Sequence, residues 1–349
     1  MPRRQRYRGA VGSAVVLILL IGPMGRLFAR PRSETPRRES RPGTSPRQRV
    51  SPPRTPKERI RTLRKGDSSR SARKRALAEL PLDKLTAAKR RQARRVLRSA
   101  SWFRRLPTLA FPADAEAYQY FIDHPHVAVA IWHVMGISKF RMQPIGPDRY
   151  HADAGDGTVG TIEVLLQNRD ATLIVCDGVY TNVLLFRPIK ARALLYLTRS
   201  FFRDADGKPS VKHRASLFVS FPSYPVRTVA KILAPLSNLV IDRNFQEVSL
   251  FLHMMSLAMQ QRPGWIEHLV NKRNGVLRKN REQLLEVTAR VYVAYRKQQL
   301  AGRAKGSEFK GVVKPRPITA AGTANGKPAA ASPPRVAVSP NRDRGARTE

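Results

Sequence analysis

Six consecutive stretches, at 139–145, 149–154, 159–167, 171–181, 193–203 and 211–221, carry apolar and polar residues with a period of two. This run constrains the fold more than anything else in the chain, because period two places alternate side chains on opposite faces of a strand. The stretches are rich in Val, Ile, Leu, Phe and Tyr. Short turn sequences separate them, among them Gly146-Pro147-Asp148, Gly155-Asp156-Gly157 and Asn168-Arg169-Asp170. Turns this short leave no room for a crossover helix, so neighbouring strands run antiparallel and a meander is the simplest order.

The period changes after Pro225. Residues 225–261 repeat apolar side chains at helical spacing, from Val226 and Val229 through Phe245, Val248, Phe251, Met255 and Met259. One straight helix of that length would extend about 55 Å at about 1.5 Å per residue, too long for a single small sheet. Pro235 is expected to kink it and Asp242 to cap a second piece at 242–261 that lies on the sheet. Ahead of the strands, 106–111 reads as a first strand. Residues 112–121 and 126–135 read as two short helices.

The element order, with LAFPADAEAYQYFIDHP at its start and ASLFVSFPSYPV before the helix, resembles the START-like (SRPBCC) helix-grip superfamily of polyketide cyclase/dehydrase and lipid-transfer type. The resemblance covers 104–261. It implies an α+β helix-grip fold: a curved antiparallel sheet of about six to seven strands, two short N-terminal helices and a long, kinked C-terminal helix pair. It also implies an apolar cavity between sheet and helix that holds a lipid or other hydrophobic ligand. An extra helix at 276–301, after a short one at 264–274, departs from that pattern.

Charge separates the flanks from the middle. The chain of 349 residues has a net charge of +40, of which +25 falls in 1–105, +3 in 106–262 and +12 in 263–349. The segments expected are a signal peptide or membrane anchor at 1–29, a disordered basic linker at 30–75, a basic helix at 76–100, the START-like domain at 104–262, helices at 264–301 and a disordered basic tail at 304–349. Residues 1–8 are basic and 9–25 uncharged, the pattern of an export or anchor segment. Leu27 is poor at the −3 position for cleavage after Ala29, and a mis-chosen start is the alternative reading. Residues 76–100 read as a solvated charged helix leading into the domain, with anionic lipid or nucleic acid as the functional alternative.

Chemistry-bearing residues are scattered. His133, His151, His213 and His253 match no ligand spacing. Glu163 and Glu247 are candidate cavity carboxylates. Asp204 opens a DxDG sequence, but the twelfth loop position is Ser216 where a calcium loop needs Glu. The single cysteine, Cys176, excludes an internal disulfide framework and reads as a buried apolar residue. No cofactor or metal motif appears. The candidate ligand-cavity residues are Trp132, Tyr180, Tyr196, Phe251, Met255 and Met259. The leading expectation is a non-enzymatic, envelope-tethered domain that binds a hydrophobic or lipid-like ligand or acts as an interaction module. The N-terminal segment is the expected membrane contact, and the basic flanks offer non-specific polyanion contact. A cyclase- or hydrolase-type enzyme and a nucleic-acid binder are the alternatives, as is a cytoplasmic location if the start is mis-chosen.

Overall fold

The computed structural model describes residues 59–181, 188–222, 238–272 and 274–308. The first layer comprises β1 (Arg61–Arg64), α1 (Arg70–Ala78), a 3-10 turn at Leu82–Lys84 and α2 (Ala87–Ser99). Then come β2 (Ala100–Arg105), β3 (Thr108–Pro112), α3 (Ala115–Asp123) and α4 (Pro125–Val134). The strand block follows as β4 (Arg141–Gly146), β5 (Arg149–Asp153), β6 (Thr158–Gln167), β7 (Ala171–Tyr180), β8 (Ile189–Arg203) and β9 (Pro209–Ser220). The chain continues through α5 (Asn238–Gln261), α6 (Pro263–Val270), α7 (Gly275–Lys279) and α8 (Arg281–Glu308).

The class is α+β, with nine strands in one antiparallel sheet among the described residues. Its order is β1-β3-β9-β8-β7-β6-β5-β4, with β2 also on β9. The six alternating stretches become β4–β9 and pair with their sequence neighbours, as the short turns require. The strand count of six to seven is corrected by β1 and β2. Strand β9 is long enough for two partners laid end to end: β3 pairs with Ser210–His213 and β2 with Ser216–Ser220. Pro107, which has no N–H to donate, falls between β2 and β3, and Leu106 N–H still reaches Ala215 O at 2.8 Å.

Side-chain parity divides the core into two. Ile174 and Cys176 of β7, Ala193, Leu195 and Leu197 of β8 and Ala215, Leu217 and Val219 of β9 share one cluster with α3–α6 and α8. Their alternates, Leu173, Val175, Leu194 and Phe218, share a second cluster with Phe103, Ala72 and Ala76 of α1 and Ala93 and Val96 of α2. Both faces of the sheet are therefore covered. This corrects the reading of 76–100 as a solvated lead-in helix: it is two helices and a turn whose small apolar side seats on the sheet. The linker expected at 30–75 likewise gives way at its end, since β1 and the first turns of α1 lie within it, and the domain's expected start at 104 falls inside β2. One compact unit runs to Ala301.

The C-terminal helices differ in detail from expectation. Helix α5 is already helical at Asn238, so Asp242 is not its cap. Asp242 instead takes a two-pronged ion pair from Arg104 of β2, Nε to Oδ1 at 3.1 Å and Nη2 to Oδ2 at 2.5 Å. A Cβ on Gly66 would lie within 2.5–2.8 Å of both partners, so a side chain there would push the pair aside. The expected kink at Pro235 lies outside the described residues, as do residues 1–58 with the expected signal or anchor. The helix expected at 276–301 is two: Asn274 caps α7, and α8 begins after Asn280. Helix α8 runs to Glu308, past the expected tail start at 304. A second unit is made of Gly302–Glu349. Among the described residues no helix is long and apolar enough to cross a membrane.

Candidate ligand-binding site

Two apolar spaces flank α5. The first lies between α3, α4, α5 and the sheet, lined by Tyr118, Trp132, Ile162, Leu195 and Phe251 among others, and holds about 100 Å³. A site for a drug-sized ligand occupies roughly 300–1,000 Å³, and even a benzene-sized cavity is about 150 Å³. The interior is therefore largely filled by side chains. Phe245, Phe251, Leu252, Met255 and Met259 of α5 are all buried in the cluster beneath it. Trp132 meets Phe251 edge-on at 5.4 Å, and Phe121 does so at 5.6 Å. Such pairs add to burial about 0.5–1.5 kcal/mol each.

The second space is an open groove of about 480 Å³ on the other side of α5. Met135 and Ile137, where α4 ends, form one wall. Phe251, Met254, Met255 and Ala258 of α5 line its floor, and Trp265 of α6 also borders it. Met135, Met254 and Trp265 are each about two-fifths exposed, at 41%, 38% and 38%. Thioethers are flexible and polarizable, so this lining adapts to an irregular apolar guest. Two charged groups touch the groove. Glu247 lies 3.9 Å from Arg243 one turn back. Arg262 follows α5, fifteen residues or roughly 22 Å of helix further along.

The six residues expected to share a cavity do not. Trp132 and Phe251 line the interior space, and Phe251 and Met255 line the groove. Met259 is fully buried core and Tyr180 is buried at the end of β7; neither lines the groove or the interior space. Tyr196 lies on the opposite face of the sheet, packed on the cluster under α2. Parity decides that placement: Tyr196 stands between Leu195 and Leu197, which both face α5. The groove residues Met135, Ile137 and Trp265 were missed, because the ends of α4 and α6 meet only in the fold.

The acid–base candidates are likewise kept apart. Glu163 faces α2, accepting from Gln92 at 3.1 Å, on the opposite face from Glu247. His133 and His151 are exposed. Buried His253 donates from Nδ1 to Pro112 O at 2.6 Å. His213 is at the centre of a buried relay. Tyr118 O–H donates to its Nδ1 at 2.9 Å, and its Nε2–H donates to Ser249 Oγ at 2.8 Å. Ser249 in turn donates to Phe245 O at 2.7 Å. The proton order is opposite to that of a nucleophilic serine, which must donate to the imidazole. Burial holds His213 neutral, its pKa pushed down to about 3. Burial also raises the Cys176 thiol far above its usual range, so it is an inert apolar group. Asp204 accepts from the backbone N–H groups of Asp206 and Lys208 in a tight turn. No three His, Cys, Asp or Glu side chains converge among the described residues.

No family model matches the chain, and no curated protein does. Among solved structures it is similar to a conserved protein from Geobacillus kaustophilus, at 15% identity over 43% of this chain and 93% of that one, with a TM-score of 0.30. It is similar also to a putative uncharacterized protein from Rhizobium leguminosarum, at 14% identity over 42% and 93%, with a TM-score of 0.25. Likenesses this slight carry no argument about function.

Proposed function

We propose that the protein is a non-enzymatic ligand-binding domain held at the cell envelope, built on a helix-grip-like plan. Its ligand is an amphipathic molecule with an apolar chain and an acidic head. The carrying observation is the Met-lined groove beside α5, in the size range of ligand sites, with Arg262 near one end. The interior space is too small for such a guest, so the ligand lies on the outer side of α5 and not between helix and sheet. The chain packs along Met135, Phe251, Met254 and Met255, and the head pairs with Arg262. Envelope tethering rests on the basic start and uncharged run at 9–25.

Dodecanoate and dodecanol, titrated into the full chain by calorimetry, test the reading. Met254→Asp puts a charge on the groove floor at an exposed position. It is expected to weaken dodecanoate at least tenfold, consistent with about 1.4 kcal/mol per decade. Arg262→Gln is expected to remove the preference for dodecanoate over dodecanol while leaving dodecanol unchanged. Equal binding of dodecanoate by the Met254→Asp protein and its parent would rule the groove out.

A further inference from the structure

The layer formed by β1, α1 and α2 has a second, outward side, and its charge is one-sided. Residues 59–105 hold 17 basic and 3 acidic side chains. Two of the three acids are engaged: Glu79 accepts from Arg105 of β2 at 2.8 Å and Arg214 of β9 at 3.0 Å, and Asp67 accepts from the N–H of Ser69. Several of the cations are equally committed: Arg104 pairs with Asp242, Arg105 with Glu79, and two more lie on α2. Arg90 clamps the carbonyls of Leu82, Asp83 and Leu85, and Lys89 reaches Val164 O and Asp148. Arg90 thereby ties α2 to the turn that precedes it, and Lys89 ties it to β6 of the sheet.

What α2 turns outward is different. Arg91, Arg94, Arg95 and Arg98 are exposed. At spacings of three, four and seven they form one stripe along the helix. Among the described residues none of the four has a carboxylate within 4 Å. On α1, Arg70, Lys74 and Leu77 form a second exposed stripe, with Leu77 39% exposed. Like charges at these spacings destabilise a helix, and Glu at alternate positions would have given the same solubility without that cost. A stripe of unpaired guanidiniums on a helix tied to the sheet suits a planar array of phosphates.

We infer that this face docks on an anionic lipid bilayer. The inference rests on the tethering part of the proposed function and is independent of the groove. Two observations favour a bilayer over a nucleic acid. Leu77 sits in line with Arg70 and Lys74, and an apolar side chain among cations suits the headgroup boundary but not a phosphodiester backbone. The uncharged run ends at Gly25, and 33 residues, about 120 Å at full extension, lead from it to this layer, the first part of the domain the chain enters. A domain tethered through that segment presents its basic layer within reach of the headgroups. Basic residues near such a surface add attraction roughly one by one.

The test uses the full chain with an environment-sensitive dye on Ala87→Cys, an exposed position on α2; Cys176 is buried and escapes labelling. Vesicles of phosphatidylcholine alone, or with phosphatidylglycerol as a minor component, carry a headgroup quencher. The parent dye is expected to be quenched on the phosphatidylglycerol vesicles, and to lose that on raising salt from about 0.1 M to about 0.5 M. The Arg91→Gln, Arg94→Gln, Arg95→Gln, Arg98→Gln variant is expected to need at least tenfold more lipid, with an unchanged melting temperature. Quenching that is the same in variant and parent overturns the proposal. So does a short DNA duplex that displaces the parent from vesicles at sub-stoichiometric phosphate, which would assign the face to nucleic acid. Dodecanoate binding in the same variant reads the groove separately.

Discussion

At the scale of single residues, the core holds ionisable groups in their neutral forms. His213, His126 and His253 all have pKa values lowered first by burial. An unfolded histidine titrates near 6.5, so below that pH the unfolded chain binds protons that the folded chain refuses. Stability is then complete above pH 6.5 and falls as pH drops from there toward about 3. For His213 alone the loss between pH 7 and pH 5 is about 2 kcal/mol. Thermal melts across that range are expected to show the midpoint falling steadily on acidification. A midpoint that holds constant or rises would mean that these imidazoles are not buried neutral. Arg199 shows the converse device: this buried cation is satisfied by neutral oxygens, those of Gln119, Arg169 and Thr172 among them.

At the scale of elements, one ion pair joins β2 to α5 across the sheet's end. Arg104 and Asp242 have side chains only 9% and 17% exposed. Asp242→Asn leaves a buried guanidinium without its counter-charge, and such losses cost about 3–5 kcal/mol. Chemical denaturation should show that loss, and Arg104→Met combined with Asp242→Leu should restore much of it. A single-variant cost under about 1 kcal/mol would show the pair to be solvated. This link also marks what the sequence left hidden. The six strands of the meander were legible because their alternation is local and their turns are short. Strand β2 was not, because Arg104-Arg105 reads as the end of a basic flank until a partner 138 residues away neutralises it. Helix α2 was legible as a helix but not as a buried one, since its inward side is mostly Ala93 and Val96. The clue was in β7, where Leu173 to Cys176 is continuously apolar, as in strands covered on both faces. The groove was half legible: Phe251 and Met255 follow from periodicity, but Met135, Ile137 and Trp265 come together only in the fold, and excluding Tyr196 needed the register of β8.

At the scale of the folded unit, packing on both faces of the sheet makes the basic residues 59–105 part of it. Fully burying a Leu or Phe contributes about 1.5–3 kcal/mol. Deleting 59–99 would uncover Phe103, Leu173, Leu194 and Phe218 together. The truncated chain is expected to aggregate in size-exclusion chromatography; a monodisperse product with a cooperative melt would show that layer to be an accessory. The end-to-end pairing of β2 and β3 on β9 has a consequence for how the protein is made. Trp102 waits for Val219, and Leu109 for His213. At about 5–20 residues per second, a ribosome takes roughly 5–20 s to deliver the second partner after the first. Throughout that interval the nascent chain carries α1, α2 and two strand segments with no sheet to join. Over that interval the dense positive charge of 59–105 makes like chains repel one another.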